Sequence, residues 1–239
     1  MASTCVLVTT TIFYWTAFLV GFLIFIPLFL VQNEYDVVLN PTDGQENPGC
    51  MLFVTVIRYE EKKQVGSNRN ICHTAIFLPL AAIGISALLG SYFTYKSCKV
   101  VTSLNKDISY GTSIWPFLLL NTVVTIVVGV CAAFTSAGFV ETCSQIRRQI
   151  MEKDLSPYAQ EQESCFEHVR FTTNRNLDLT ALIYVSVFMY WCEFLIWLVL
   201  VMLQVVRLRL RVRWRHRSHE KELSQFTPLE ETVMKESFL

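Results

Sequence analysis

Long apolar runs alternate with polar segments along this chain in a regular pattern. Four runs are free of charge or nearly so, and each is long enough to cross a hydrocarbon core, which needs about 20 helical residues. Backbone groups inside lipid must be satisfied within their own segment, so each run is expected to form a helix. The pattern predicts an all-α membrane protein, a four-helix transmembrane bundle in residues 1–206. The expected spans are about 6–31, 71–95, 112–140 and 179–206.

Composition supports this interpretation. The 239 residues are 52% hydrophobic and only 17% charged, which is more apolar than an ordinary soluble domain. The first apolar run has no basic segment before it and is longer than the apolar part of a signal peptide, so it is expected to remain as a membrane helix.

Charge is distributed unevenly, although the net charge is zero. Loops 32–70 and 141–178 carry nine basic and thirteen acidic residues, whereas the segments on the other side of the spans carry eleven basic and six acidic. Basic residues accumulate on the cytosolic side of a membrane. We therefore expect a multi-pass protein of the plasma membrane or an endomembrane, with both termini cytosolic and the two loops extracellular or lumenal. Residues 207–239 are predicted to be a basic, then flexible, cytosolic tail.

The tail begins with "RLRLRVRWRHR", in which every second residue is arginine. A helix would spread these arginines around its circumference, and an extended chain would place them on one face. In either form they meet the phosphates of an anionic inner leaflet first, so nucleic acid is not expected as a partner. A stop-transfer anchor is the simplest interpretation, with a trafficking signal or specific lipid binding as alternatives. The membrane-surface arginines are Arg207, Arg209, Arg211, Arg213, Arg215 and Arg217.

Four of the eight cysteines lie in the outer loops, at the same spacing of 22 positions in each loop. Cysteines outside the cytosol usually pair, and four of them allow three connectivities. We favour one disulfide within each loop. No paired C-x-x-C motif accompanies them, so neither a metal site nor a cofactor is expected. The four cysteines are Cys50, Cys72, Cys143 and Cys165.

The outer loops also carry signs of ordered structure. In the first, "CMLFVTVIRYEEKKQV" predicts a strand of about eight residues, which is expected to form a β-hairpin with "YDVVLN" across the turn-rich "NPTDGQENPG". In the second, "ETCSQIRRQIMEKDL" predicts a helix that extends the third span before Pro157 stops it. The expected outer region is therefore small, contains a β-hairpin and is stapled by disulfides.

Polar residues inside the apolar runs are candidate functional groups. Glu193 is the acidic side chain of the fourth run, and an intramembrane carboxyl group must face the bundle interior. It either hydrogen-bonds a neighbouring helix and fixes the register, or handles a proton or cation, or pairs with a basic residue of a partner subunit. Asn121 is expected to bridge helices at another depth. Helical spacing places one polar and aromatic stripe on the fourth helix: Ser186, Tyr190, Glu193, Trp197, Leu200 and Gln204.

The chain ends in "KESFL", with Ser237 two positions before Leu239. This pattern is typical of a class I PDZ ligand, whose chain end adds a strand to the PDZ sheet. The alternative is a simple disordered end.

Several four-span families can be compared on their motifs. Claudin-like proteins carry tryptophan before paired cysteines in the first loop, which has no tryptophan here, and the cysteine patterns of tetraspanins and connexins are also missing. The chain resembles the transmembrane protein 179 family through "CMLF", "CHTAIFLPLAAIGISALLG", "SAGFVETCS", "SCFEH", "LQVV", "HEKELS" and "TPLEE". The resemblance implies a four-span membrane protein without an assigned chemistry, and it gives no role to Glu193 or to the arginine run.

The sequence contains no P-loop, no nucleotide-binding glycine motif, no H-E-x-x-H and no nucleophile elbow, so we do not expect an enzyme. We expect an accessory or scaffolding subunit that binds a partner membrane protein through its outer loops and cytosolic tail. The alternative is a transporter or channel component that uses Glu193.

Overall fold

The computed structural model describes residues 2–39, 50–59, 62–67, 69–102, 114–153 and 179–236. These residues form four helices and two strands. The helices are α1 (Ala2–Leu39), α2 (Arg69–Thr102), α3 (Trp115–Lys153) and α4 (Leu179–Glu236), and the strands are β1 (Cys50–Tyr59) and β2 (Lys62–Ser67).

Each helix contains a segment that is long and apolar enough to cross a membrane. These spans contain 29 to 33 residues, or about 44 to 50 Å of helix, which exceeds a hydrocarbon core of about 30 Å. The four predicted spans are therefore confirmed, and the chain is a multi-pass membrane protein. The spans are Thr4–Gln32, Asn70–Val100, Trp115–Gln145 and Ala181–Arg213.

The bundle is built around α1 and α4. Helix α1 packs along both α2 and α4, α3 packs along α4, and α2 and α3 touch over only a few residues. The connectivity places both ends of the chain at one end of the bundle, called here the terminal end, and the strands at the opposite outer end.

Two groups of buried apolar side chains fill the bundle. The outer cluster contains residues such as Ile24, Cys72 and Phe139, together with Cys50 and Leu52 of β1. The terminal cluster is more aromatic and is centred on Tyr14, Phe93 and Trp197. Exposed large hydrophobic side chains are found on all four helices, as expected for surfaces that face lipid.

The outer end carries a two-stranded antiparallel sheet. Strand β1 pairs with β2 with Val56 opposite Val65, and the register shifts between Cys50 and Thr55. The predicted hairpin with "YDVVLN" is wrong, because residues 35–39 continue α1. Once a helix is nucleated, each further residue adds a hydrogen bond at little cost, so the extension of α1 outweighs the strand preference of two valines.

Helices α3 and α4 both continue beyond the apolar spans. Helix α3 reaches Lys153, which confirms the predicted extension of the third span. Helix α4 runs unbroken to Glu236, so the segment after 206 is helical where a flexible tail was expected. This also decides between the two forms of the arginine run in favour of the helix.

Candidate functional site

The polar stripe of α4 faces the interior of the bundle, as its helical spacing predicted. All six of its side chains are at most 1% exposed. The stripe forms two polar layers, because the apolar side chains of Trp197 and Leu200 lie between Glu193 and Gln204. The layer around Glu193 is called here the central layer, and the one around Gln204 the terminal layer.

Glu193 holds the central layer. Its Oε1 accepts a hydrogen bond from the Trp197 indole Nε1 at 3.0 Å, and its buried Oε2 has no hydrogen-bond partner. The hydrogen bond of Glu193 therefore lies within α4 and not between helices as predicted, because the Trp197 indole four residues along α4 already reaches the carboxyl group.

Gly21 of α1 makes room for this carboxyl group. A Cβ atom at Gly21 would lie 3.8 Å from Glu193 Oε2 and would overlap Cγ1 of Ile83. The glycine therefore allows α1 and α2 to close over the acidic side chain, and the carboxyl group occupies a niche between α1, α2 and α4.

Toward the outer end, aromatic side chains of α4 tie it to the neighbouring helices. The Tyr190 hydroxyl donates to the carbonyl oxygen of Ala75 on α2. The Trp191 indole donates to Ser136 Oγ on α3 at 3.1 Å. These two hydrogen bonds lie on the outer side of the central layer. They fix the position of α4 along its axis relative to α2 and α3.

The terminal layer contains polar side chains of three helices. The Tyr14 hydroxyl of α1 donates to Asn121 Oδ1 of α3 at 2.9 Å, which confirms that Asn121 bridges helices. Gln204 of α4 lies in the same layer, where its buried Nε2 has no hydrogen-bond partner and its Oε1 accepts a hydrogen bond from Arg207 Nη1 at 3.0 Å. Hydrogen bonds of this layer therefore join α1 to α3, and Gln204 to Arg207 within α4.

Aromatic rings enclose this layer. The Tyr14 ring stacks on Phe93 of α2 with centroids 5.3 Å apart and meets Trp197 edge-on at 6.0 Å. The Arg207 guanidinium carbon lies 5.2 Å from the centroid of Phe93. Through Phe93, α2 becomes the fourth helix that contacts the terminal layer.

The arginine run does not behave as a uniform surface. Arg207 and Arg211 are partly buried, whereas Arg209 and Arg213 are exposed. Arg207 differs from the two exposed arginines because the inward stripe of α4 continues past Gln204 at the same helical spacing. The location of the six arginines at the membrane surface stays a prediction. The side chains of Arg215 and Arg217 lie outside the described residues.

The cysteine prediction is confirmed in the first loop. Cys50 and Cys72 form a disulfide that ties β1 to the start of α2. Cys143, near the outer end of α3, is also disulfide-bonded. Its predicted partner Cys165 lies outside the described residues, as do Ser237 and Leu239 of the predicted PDZ ligand.

Within the part of the chain that the structure describes, no group of three or more histidine, cysteine, aspartate or glutamate side chains could hold a metal ion.

Sequence reasoning missed the partners of the predicted polar residues. Tyr14, Gly21 and Phe93 were not singled out, although each faces a residue that was. Tyr14 could have been found from its spacing, because Leu7, Tyr14 and Ala17 recur on one face of α1. All three side chains are fully buried.

Comparison with known proteins gives one result. The sequence matches the family described as the transmembrane protein 179/179B claudin domain over residues 6–229. No curated protein and no solved structure matches the chain. The separation from claudin-like proteins, which rested on the missing tryptophan of the first loop, is therefore wrong at the level of the domain. The resemblance carried by the short motifs is confirmed, and the chain belongs to the claudin-like transmembrane protein 179/179B family of four-span membrane proteins.

Proposed function

We propose that this chain is a non-enzymatic accessory or scaffolding subunit that binds a partner membrane protein through its outer region and its cytosolic tail. The observation that carries the proposal is the construction of the outer end. Strand β1 is joined to α2 by the Cys50–Cys72 disulfide and packs against α3. An ordered platform held above the bilayer at two points loses little conformational entropy when it binds a partner.

Two observations support an orientation with both termini in the cytosol. Disulfides form and persist in oxidising compartments, so the outer end belongs on the extracellular or lumenal side. The excess of basic residues at the terminal end agrees with the usual cytosolic bias of lysine and arginine. In this orientation the arginines of α4 contact the anionic inner leaflet, and Ser237 and Leu239 are offered to a cytosolic PDZ-domain protein.

Purification from native membranes in a mild detergent tests the proposal. The tag belongs at the N-terminus, so that the chain end stays free, and mass spectrometry identifies what accompanies the protein in stoichiometric amount. We expect one membrane protein to co-purify. A protein that is recovered alone, including after cross-linking in the membrane, would overturn the accessory function.

Matched variants locate the contact. Replacing Cys50 and Cys72 together with serine should release the partner, because it frees β1 from α2. Cys98→Ser is the control, since Cys98 is an exposed free thiol and its loss leaves the platform intact. Deletion of Leu239 tests the tail separately, and we expect it to remove PDZ-domain proteins without affecting the membrane partner.

A second candidate function is a transporter or channel component that uses Glu193. Its support is the buried Glu193 carboxyl group, whose Oε2 has no hydrogen-bond partner, because ionisable side chains inside membrane spans often mark ion and proton pathways. Trp197 and Leu200 oppose it, since both are fully buried and separate the central layer from the terminal end.

Flux in reconstituted liposomes distinguishes the two functions. Glu193→Gln keeps the size and the hydrogen-bond acceptor of the side chain but cannot exchange a proton. In an accessory subunit this variant folds and binds its partner normally, whereas in a transporter it abolishes flux.

A further inference from the structure

The two oxygens of the Glu193 carboxyl group have different surroundings. Oε1 accepts a hydrogen bond from the Trp197 indole at 3.0 Å, whereas Oε2 is buried and has no hydrogen-bond partner. The side chain is only 1% exposed, so bulk water does not reach the second oxygen. An indole is an uncharged donor. The hydrogen bond to Trp197 therefore does not neutralise an ionised carboxylate.

The niche around Oε2 is walled by carbon atoms. The backbone of α1 comes close at Gly21, where a Cβ atom would lie 3.8 Å from Oε2. Side-chain carbons of Ile83 on α2 face the same position. On α4, Tyr190 lies one turn before Glu193, but its hydroxyl group donates to the carbonyl oxygen of Ala75. The hydroxyl proton of Tyr190 is thus committed elsewhere and does not serve Oε2.

A buried carboxyl group in such surroundings has to be neutralised. An isolated ionised carboxylate is very costly in an apolar medium, so the group takes up a proton unless a cation pairs with it. Metal cations bind through several oxygen atoms, about six to eight for Ca²⁺ and rings of carbonyl oxygens for K⁺. The niche offers Oε2 as a single free oxygen with carbon atoms opposite it. A proton needs no more than this one atom.

We propose that the niche binds a proton, held on Glu193 Oε2 as a neutral carboxylic acid, in preference to a metal cation. In this form Oε1 is the carbonyl oxygen that accepts from Trp197, and Oε2 carries the hydrogen. The inference goes beyond both proposed functions, because it concerns the ligand of the niche and holds for a chain that transports nothing. For the second candidate function it names the proton as the transported ion, and that extension rests on that function.

Infrared difference spectroscopy detects this proton, because a carboxylic acid and a carboxylate absorb in separate bands. The experiment uses the full chain in lipid nanodiscs at neutral pH. We expect the spectrum of the parent protein minus that of Glu193→Gln to contain the carbonyl stretch of a carboxylic acid, which moves to lower frequency in heavy water. Glu141→Gln is the control, since Glu141 is an exposed side chain of α3 and its difference spectrum should contain only carboxylate bands.

A second pair of variants assigns the proton to one oxygen. Trp197→Phe removes the donor to Oε1, so the acid band should persist and move to higher frequency as its carbonyl oxygen loses a hydrogen bond. Trp191→Phe is the same substitution on the same helix, but it removes a hydrogen bond to Ser136 on α3. We expect it to leave the acid band in place. An acid band that responds equally to both substitutions, or to neither, would overturn the assignment of the proton to Oε2.

Addition of Na⁺, K⁺ or Ca²⁺ tests the preference for a proton. Each cation is added to the unmodified chain at constant pH and ionic strength, so this measurement does not depend on the folding of a variant. The acid band should keep its intensity. Its replacement by carboxylate bands on addition of any of the three cations would overturn the proposal in favour of a metal site.

Failure of this inference can be told apart from failure of the proposed functions. Carboxylate bands in the first difference spectrum would overturn the inference but leave the co-purification result unchanged. An acid band in a chain that gives no flux would support the inference and remove the second candidate function.

Discussion

The hydrogen bond between Tyr14 and Asn121 gives the most direct test of the terminal layer. Tyr14→Phe removes only the hydroxyl group that donates to Asn121 Oδ1 at 2.9 Å. The ring contacts with Phe93 and Trp197 stay in place. Hydrogen bonds between membrane helices contribute about 0.6 kcal/mol on average and up to about 1.7 kcal/mol. Since both side chains are fully buried, we expect a cost of about 1 to 1.7 kcal/mol, toward the upper end of that range.

A double-mutant cycle separates this bond from the other effects of each substitution. Asn121→Ala also removes an amide donor that has no partner, so its own cost does not measure the bond. Combined with Tyr14→Phe, it isolates the coupling between the two side chains. Unfolding by sodium dodecyl sulfate in mixed micelles, followed by tryptophan fluorescence, reports the free energy, and Trp197 lies next to the bond as a probe.

Ser136→Ala supplies the control for this cycle. Ser136 is fifteen residues along α3 from Asn121, or about 22 Å of helix, and should add to Tyr14→Phe within about 0.5 kcal/mol. A coupling between Tyr14 and Asn121 no larger than that of this control pair would refute the assignment of the bond as a link between α1 and α3.

Further substitutions test the central layer and the outer end. Gly21→Ala should destabilise the bundle by about 1 to 3 kcal/mol through overpacking, whereas Gly84→Ala, whose Cβ would meet nothing within 4 Å, should leave thermal stability the same or slightly higher. Replacing Cys50 and Cys72 with serine removes a bridge between residues 22 positions apart; the loss should be about 3 kcal/mol, and limited proteolysis should then cut the outer region at low protease concentrations that spare the parent protein. Glu193→Leu should lower the free energy of unfolding more than Glu193→Gln, because only glutamine keeps an oxygen that can accept the hydrogen bond donated by the Trp197 indole.

Helical periodicity was sufficient to place the inward face of α4. Tyr190, Glu193 and Gln204 recur at the spacing of one helix face, and each is fully buried. The regular geometry of a helix carries such information over a long segment, so a polar residue inside an apolar run identifies the interior.

Contacts between helices could not be obtained in this way. Nothing in the sequence pairs Tyr14 with Asn121 or places Gly21 beside Glu193, because such contacts depend on the relative height and rotation of two helices. The local signals failed at the helix ends for a related reason. Residues 35–39 have the composition of a strand, and the arginine run has the alternation of one, but both are continuations of helices that are already formed.

The unbroken course of α4 has a mechanical consequence. The helix contains 58 residues, of which the last 23 extend past the membrane span over roughly 35 Å. Membrane helices change their tilt when the thickness of the surrounding bilayer changes. A rotation of α4 by about 5° would displace its far end by about 3 Å, given that length. A change in bilayer thickness that tilts the membrane span of α4 therefore also moves the far end of the helix near Glu236.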